Sequence, residues 1–552
     1  MPHSSHKQDL DQISELWRLG RTPIKIGVLK NMLRAYPHAG VAKELYEGFL
    51  CGFRLKYSGP KISFISKNLQ SANCHKVETL DKLDQEVKAG RMAGPFLEKP
   101  ISTLRTSPIG LVPKEKGWRL ISHLSYPEGS GVNDFIDRDE CSVQYASFDE
   151  VIQMVSSLGK SALIGVRDIK SAFRLLPVHP SDFELLGIYF DEKFFVNKSM
   201  AMGCSISCKF STFLHWLVVE RSGVKSLVHY LDDFLFGGPE DTPVCKMMLD
   251  TFSDICEELG VPIASEKSVG PVTSLKFLGL VIDTVEMVVR IPQDKLLKLK
   301  SLLEPILLNK KITHKDLESV VGLMAFCSRA ITSSRAFLRR FYDVIGSIKN
   351  KKPFYSIIIN NDLREDAKIW LIFLEHFNGD CYLSENTWIT NETLHLYTDS
   401  CGNSDLGCGA YFDGKWAQYK WPEAWSNMPI MRDITFLELV PIVLAMFIWA
   451  SNFQNRKILF RIDNMALVSI INKRTAKSKR VMAFIRPLVL FTMQHNIQFK
   501  AQHIDGCKNE IADSISRFQL KRFRELEPGA ESVPENNPEE FRDLILSLKQ
   551  TE

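Results

Sequence analysis

The pattern of apolar and polar positions divides the chain into stretches of different texture. Residues 1 to about 95 carry helical patches, Asp9 to Leu19 and Leu80 to Lys88. From Ser107 the texture changes to short apolar runs broken by Gly, Pro and Asn: IGLVP (109–113), WRLIS (118–122) and ALIGV (162–166). Such runs predict strands of a mixed α and β domain. Residues 294–345 return to helical texture, with Leu296, Leu297, Leu299, Leu302 and Leu303 interleaved with lysines. A polar stretch, Asn360 to Asp366, precedes another helix. Near Leu394 a second αβ domain opens, and it closes near Phe518. The end from Glu525 to Glu552 is acidic and Pro-bearing until a short amphipathic finish, and it reads as a tail. No internal repeat stands out.

Composition narrows the class only a little. A length of 552 residues suggests three or four domains. Hydrophobic residues at 45% and charged residues at 24% allow each domain a sizeable core. The net charge of +4 is mildly basic, so any affinity for nucleic acid must come from local clusters. The 12 cysteines form no Cys-x-x-Cys pair and no zinc-like grouping, which points to a reduced, intracellular set. Cys204 and Cys208 lie in a stretch of small and apolar residues suited to packing. The polar N-terminus lacks the apolar core of a signal peptide. The longest apolar run, Phe436 to Ala450, is too short to span a bilayer and contains Glu438. Secretion and membrane insertion are therefore not expected, while nucleus and cytoplasm both stay open.

The chemistry starts with aspartates. Strand ALIGV runs into Arg167 and Asp168, which places Asp168 where a strand ends. LVHYLDDFLFGG (227–238) predicts strand, tight turn and strand, with Asp232 and Asp233 at the turn. An acidic hairpin turn is the plain alternative, because Asp suits turns. An Asp ending one strand and an Asp pair on a neighbouring hairpin can, however, converge on two divalent ions. Ions about 3.5–4 Å apart activate an attacking hydroxyl and stabilise a leaving oxygen in phosphoryl transfer. Magnesium prefers such all-oxygen ligands.

Tyr230-Leu231-Asp232-Asp233 resembles the Tyr-x-Asp-Asp signature of reverse transcriptases, and Asp168 to Phe173 (DIKSAF) resembles the first palm motif of that family. The resemblance implies Asp168 and Asp232 as metal ligands and Asp233 as a supporting carboxylate. It implies Phe173 as the ring that excludes a ribose 2′-hydroxyl; a buried core ring is the alternative. Arg119, in WRLI, falls where the family contacts the incoming triphosphate, with Lys114 assisting. Met202 and Gly203 fall at the nucleotide-facing turn, and the resemblance implies Tyr230 as a further substrate contact. Lys267, in ASEKS, matches the lysine that protonates pyrophosphate; a surface lysine is an equal alternative. Phe277-Leu278-Gly279-Leu280 resembles the hairpin that grips the primer. These pieces occupy roughly residues 85–345 in family order.

A second set of acids follows. Asp399 ends a predicted strand in LHLYTDS (394–400), and Glu438 is the one charge of the apolar helix FLELVPIVLAMFIWA (436–450). Asp463 ends the strand ILFRID (458–463), and Asp513 lies in helical NEIADSISR (509–517). A lone Glu in an apolar helix needs a partner or an ion. The order Asp, Glu, Asp, Asp closely resembles ribonuclease H, which implies that all four ligate a second magnesium pair. His503 follows Lys500-Ala501-Gln502 in a predicted strand, and the loop Asp505 to Lys508 is short, so His503 is not read as catalytic.

Basic residues cluster after the first set, at Lys295, Lys298, Lys300, Arg335, Arg339 and Arg340. The densest stretch is Lys473, Arg474, Lys477, Lys479 and Arg480. Solvated helix faces are the plain reading, but two nucleic-acid enzymes on one chain must share a duplex, which favours a phosphate track.

The implied fold is α+β, a right-hand polymerase (fingers, palm, thumb) followed by an αβ ribonuclease H-like domain. The expected boundaries are an N-terminal helical extension (1–95), fingers and palm (96–290), thumb and helical connection (291–390), ribonuclease H-like domain (391–524) and acidic tail (525–552). The implied cofactor is Mg2+, two ions per active site, with Mn2+ as a substitute. The implied partners are RNA template, DNA primer, RNA–DNA hybrid, deoxynucleoside triphosphates and other products of the same element, with no membrane. GRMAGPF (90–96), SPIGLVPKEKGWRLISHLSYPEGSGVNDFI (107–136) and MGCSISC (202–208) resemble the DIRS-like tyrosine-recombinase retrotransposons, with gypsy-like LTR elements as nearest competitor. In that group the stretch before STFLHW is longer by about one helical turn, or about 5.4 Å. A chain short there would misplace its nucleotide floor and be defective in synthesis. Two competing expectations stay open: a copy that only binds nucleic acid, and an RNA-directed RNA polymerase, which Phe173 and the second acid set disfavour.

Overall fold

The computed structural model describes residues 14–548, apart from 115–116, 138–145, 202–208, 349–353, 377–379, 383–387, 455, 496 and 504–508. It mixes helices and sheets and divides into two compact units, Met1–Leu278 and Gly279–Glu552.

The first unit opens with helices Ile26–Leu33 (α1), Ala39–Cys51 (α2) and Lys76–Lys88 (α3), then strands Met92–Phe96 (β1), Ile109–Pro113 (β2) and Trp118–Ser122 (β3). Helix Phe148–Leu158 (α4) leads into Leu163–Asp168 (β4), followed by Gly187–Phe190 (β5) and Lys193–Asn197 (β6). Helix Lys209–Ser222 (α5), strands Leu227–Tyr230 (β7) and Asp233–Gly238 (β8), and helix Val244–Leu259 (α6) follow. Strands Val269–Val272 (β9) and Ser274–Phe277 (β10) close the unit. The strands expected at 109–113, 118–122 and 162–166 are present, the last of them running from Leu163 to Asp168. The central sheet has the order β7-β8-β4-β9, and its paired neighbours run antiparallel.

Local sequence explains these elements. Ser147 caps α4 by accepting from Glu150 N, while the Glu150 carboxylate accepts from Ser147 N, a reciprocal box that satisfies two end groups. Helix α6 buries Cys245, Met248, Leu249, Phe252, Ile255, Cys256 and Leu259, the spacing of one helical face. It stops at Gly260, whose φ of +79° a side chain would strain. Its Phe252 ring lies 4.8 Å from Phe234 and 5.4 Å from Phe236 on β8. The N-terminal helices belong to this same core, with Phe49 5.1 Å from Phe210 and Tyr36 5.0 Å from Trp216 on α5.

The second unit begins with the antiparallel strands Leu280–Asp283 (β11) and Val288–Arg290 (β12). Helices Gln293–Leu308 (α7), His314–Cys327 (α8), Arg339–Ser347 (α9) and Asn361–His376 (α10) follow, with strands Lys311–Thr313 (β13) and Ser356–Ile358 (β14) paired between them. Short strands Asp380–Tyr382 (β15) and Ile389–Thr390 (β16) precede Leu396–Ser400 (β17), Gly407–Phe412 (β18) and Lys415–Lys420 (β19), the last three an antiparallel sheet. Then come helix Ile434–Trp449 (α11), strand Lys457–Ile462 (β20), helices Met465–Lys473 (α12) and Lys479–Gln494 (α13), and strand Gln498–His503 (β21). Strands β16, β20 and β21 pair in parallel, and the helical crossover that a parallel pair requires is supplied by α12 and α13. Helices Glu510–Ser516 (α14), Leu520–Leu526 (α15) and Glu539–Ser547 (α16) finish the chain.

Two sequence expectations change here. The apolar run expected to be too short for a membrane belongs to a continuous 20-residue helical stretch, Ile434–Phe453, with mean hydropathy 2.0. It is long and apolar enough to cross a bilayer, yet 67% of it is buried inside the protein. The end read as a tail is also packed. Glu531 N donates to Gly414 O, Glu535 N donates to Trp416 O, and Phe541 is fully buried with its ring 5.2 Å from Tyr419. Apolar Phe541 and Ile545 outweigh the acidic surroundings because their burial, at roughly 25 cal/mol per Å² of apolar surface, gives the segment a docking face. Trp370, Trp421, Trp425 and Trp449 are all buried in this unit, whereas phenylalanines dominate the large side chains in the first unit's interior.

Candidate active sites

In the first unit, the register of β4 and β8 sets Asp168 directly opposite Asp233. Tyr230 pairs with Asp233, so Leu231 and Asp232 form a two-residue turn, with Leu231 at φ +58°. Ile169 N donates to Asp232 O at 3.0 Å and Ala264 N donates to Asp168 O at 2.8 Å, which ties the turn to the end of β4. Ladder and turn thus bring the three aspartates together at the end of β4. Asp168 is 3% exposed, and its Oδ2 accepts from Lys267 Nζ at 2.6 Å.

Burial pushes the Asp232 carboxyl up, and the nearby Asp168 charge adds to it. Asp233 is pushed up to about 7 by burial, a hydrogen bond with Asp168 and the charges of Asp232 and Asp168. Burial alone would lower Lys267, but the bond to Asp168 and the three carboxylate charges leave it raised. A site that holds carboxylates against their own repulsion is suited to a cation.

Asp168, Asp232 and Lys267 line a cavity of ≈ 400 Å³. Lys114, Arg119 and Phe173 line the same cavity. Lys114 N closes the β2–β3 turn on Gly117 O at 2.9 Å, and Arg119 pairs with Val112 across the same ribbon. Burial and the charges of Arg119, Lys267 and Lys82 hold Lys114 below its ordinary value. Half-buried Tyr230 sits at the end of β7. Met202 and Gly203, with the stretch 202–208 whose length was in question, lie outside the described residues.

Sequence reading missed the frame of this cavity. Glu86 on α3 accepts from Arg91 at 2.7 and 2.9 Å and from Arg174 at 2.6 and 2.9 Å. Arg174 Nη1 also donates to Asn197 Oδ1 and to the carbonyls of Ser199 and Met200. One buried guanidinium therefore joins α3, β6 and the chain leading to residue 201. Its only sequence signal is its place six residues after Asp168.

In the second unit, Asp399 on β17 pairs with Gly409 on β18. Ser516 Oγ donates to Asp399 Oδ2 at 2.6 Å, and Ser400 Oγ donates to Glu438 Oε1 at 2.8 Å. Asp463 stands one residue beyond β20. Asp399, Glu438 and Asp463 line one small cavity of ≈ 50 Å³ together with Asn391, Arg461 and Asn509. Burial pushes Glu438 up to about 8, helped by Asp399 and Asp463; burial likewise raises Asp399 to about 6, helped by Asp513 and Asp463.

Asp513 stands beside this group, its carboxylate held by Arg517 Nε at 2.6 Å and Arg522 Nη1 at 3.2 Å. Among the described residues, no group of three or more His, Cys, Asp or Glu side chains is gathered tightly enough to hold an ion. The carboxylates of both clusters are neighbours under mutual repulsion, and Asp513 is drawn to its arginines. Exposed His503 ends β21, and residues 505–508 lie outside the described residues.

The expected phosphate track is only partly open. Arg340 donates to buried Asp366 at 3.2 Å, and Arg486 donates to the same carboxylate at 3.0 Å. Arg339 pairs with Asp343 at 2.6 Å and Arg480 with Asp433 at 3.6 Å. A carboxylate as buried as Asp366 must be paired, so Arg340 serves the fold and drops out of the track. Lys298, Lys473, Lys477 and Lys479 are exposed.

No family model and no curated protein matches the chain. Among solved structures, the foamy viral protease-reverse transcriptase in complex with double-stranded DNA is 14% identical, over 86% of this chain and 81% of that one, with TM-score 0.45. The complex of that enzyme with RNA/DNA hybrid is 15% identical over 86% of this chain and 62% of that one, also at 0.45. A further double-stranded DNA complex reaches 88% of this chain and 98% of that one at 14% identity and TM-score 0.43. At these scores the likeness is too distant to assign fold or chemistry, which rest on the residues themselves.

Proposed function

We propose that the chain is an RNA-directed DNA polymerase of a retroelement, carrying a second site that hydrolyses the RNA of RNA–DNA hybrids. The observation that carries this reading is the first cavity. Asp168 and Asp232, held beside Asp233 by the strand register, line it together with Lys114 and Arg119. Carboxylates and cations that line one cavity suit a triphosphate that arrives with divalent ions.

Asp168 and Asp232 would hold Mg2+, with Asp233 in support; the oxygen-only donor set and the raised carboxylates fit that ion. When bound, the ion pair supplies activation of the primer 3′-hydroxyl and charge stabilisation of the leaving oxygen. Arg119 and Lys114 orient the triphosphate. Phe173 presents a ring at the sugar, which favours deoxynucleotides. Lys267 holds a proton beside the acids and gives it to departing pyrophosphate. In the second unit Asp399, Glu438, Asp463 and Asp513 would hold the other magnesium pair, and Asp513 would exchange its arginines for it. The hybrid would be recognised by its A-form shape and 2′-hydroxyls. Among retroelements the DIRS-like group fits best, with an intracellular site of action.

Primer extension on an RNA template with magnesium and deoxynucleotides tests this reading, beside Asp232→Asn. Extension that disappears in the variant supports it; no extension by the unmutated chain rejects it. Degradation of the RNA in a preformed hybrid, lost in Asp399→Asn, tests the second site separately. A second reading, a chain that only binds nucleic acid, draws on the commitment of Asp513 to Arg517 and Arg522. It requires binding without turnover in magnesium or manganese.

A further inference from the structure

Sharing a wall with the cavity of Asp168 and Asp232 is a second one of ≈ 490 Å³. Lys170, Ser171, Arg91 and Arg174 line both. The second cavity adds Arg21 and Thr22 and the apolar Pro23, Leu175 and Pro262, and among the described residues no carboxylate lines it. Backbone bonds fix this frame. Arg21 N donates to Gly90 O at 2.9 Å, Lys170 N donates to Pro262 O at 2.8 Å, and Thr22 Oγ1 donates to Leu175 O at 2.7 Å. Ser171, at φ +54°, turns the chain between the two cavities. Glu86, which lines the first cavity and not the second, offsets part of the charge of Arg91 and Arg174, and Arg21 and Lys170 leave a positive excess. Arg21 and Lys170 are exposed, so the cavity opens to solvent.

We propose that this second cavity is a pyrophosphate site, the way out for the product of the reaction assigned to the first. The inference rests on that polymerase reading for the source of the ion. In the step, the primer O3′–Pα bond forms and the bond from Pα to the bridging oxygen breaks. The electron pair leaves on pyrophosphate, the hydroxyl proton goes to solvent, and Lys267 protonates the leaving oxygen. The ion then passes the shared wall at Lys170 and Ser171 and meets Arg21 and Arg91. A concave pocket that opens from a triphosphate cavity and carries positive charge admits a small polyanion, not a duplex backbone. Charge-assisted bonds from Arg21 and Lys170 supply the hold.

The test is calorimetric titration of inorganic pyrophosphate alone into the full chain, without divalent metal or nucleic acid. Arg21→Glu is expected to weaken binding about tenfold or more, Arg21→Gln less, and Asp232→Asn not at all. Arg21 is exposed and its structural anchor is its backbone, so unchanged thermal melting is expected to show both variants folded. No binding by the unmutated chain, or binding indifferent to Arg21→Glu, overturns the proposal. So does binding abolished by Arg119→Ala alone, which would put the ion in the first cavity. A chain that fails primer extension yet binds pyrophosphate through Arg21 would reject the polymerase reading and leave this site standing.

Discussion

Lys267 Nζ lies 2.6 Å from Asp168 Oδ2, a half-exposed ammonium bonded to a carboxylate that water hardly reaches. The pair gives the lysine a raised pKa, so its stabilising contribution is complete below the ordinary lysine value and is lost only as pH rises through the higher folded one. Lys267→Gln is expected to slow single-nucleotide incorporation roughly 10²–10⁴-fold, the usual range for removing a proton donor. Rapid-quench kinetics would measure it, and a loss below tenfold would reduce Lys267 to a structural partner.

Asp233 keeps its proton up to about 7 in the folded chain. Between the ordinary carboxylate value and that point the folded state binds more protons than the unfolded one, so stability falls as pH rises through the window. Asp233→Asn removes this penalty. The variant is expected to gain melting temperature over the unmutated chain progressively from about pH 4 to 7, then hold the gain. A pH-independent offset would contradict the assignment.

Glu438, raised to about 8, accepts from the Ser400 hydroxyl, and a glutamine oxygen at this position can accept the same bond. Glu438→Gln is expected to fold at least as stably above pH 8 while hybrid hydrolysis falls by more than about a hundredfold, as for loss of electrostatic stabilisation. Primer extension by the same preparation should be unchanged. Hydrolysis near the original rate would remove Glu438 from the site.

Gly409 faces Asp399 on the ladder, and a methyl group there would meet Ile515 Cγ2 at 2.6 Å and Ser516 N at 2.8 Å. Gly409→Ala is therefore expected to push α14 outward, at a cost of about 1–3 kcal/mol. The Ser516–Asp399 bond would lengthen with it. Urea denaturation would detect the cost; a neutral result would mean that α14 can slide freely on β18.

Asp366 joins Arg340 and Arg486 where no water reaches its carboxylate. Asp366→Ala is expected to destabilise the second unit by about 3–5 kcal/mol, because Arg486 would stay buried without its counter-charge. Chemical denaturation of the variant, beside Arg486→Met, would show whether the pair or its parts carry the effect.

The acids were legible in the sequence because each sits beside a local signal. Asp168 and Asp399 lie at or near the end of a strand, Asp463 follows one, a tight hairpin holds Asp232 and Asp233, and an apolar helix isolates Glu438. The supports were not, because their partners are distant: Glu86 meets Arg174 88 positions later, and Asp366 meets Arg486 120 positions later. A run of basic residues announces charge but not its partner, which is why Arg340 read as a phosphate contact. The hold on Asp513 was partly readable, since Arg517 falls four residues on along a helix. The packed C-terminal segment was obscured by its acids, which outnumber the two apolar residues that anchor it.

The indole rings are unevenly shared. Six of the nine tryptophans (370, 388, 416, 421, 425 and 449) belong to the second unit, and Trp421 stacks on Trp425 with centroids 5.6 Å apart. The first unit has only Trp17, Trp118 and Trp216, none of them fully buried. Intrinsic emission is therefore mainly a reporter on the second unit. A fluorescence melt would register the loss of that unit's interior and pass over most of the first, whose phenylalanine core emits little. Circular dichroism weighs the helices of both, so a gap between the two transition curves would measure how far the halves unfold as one.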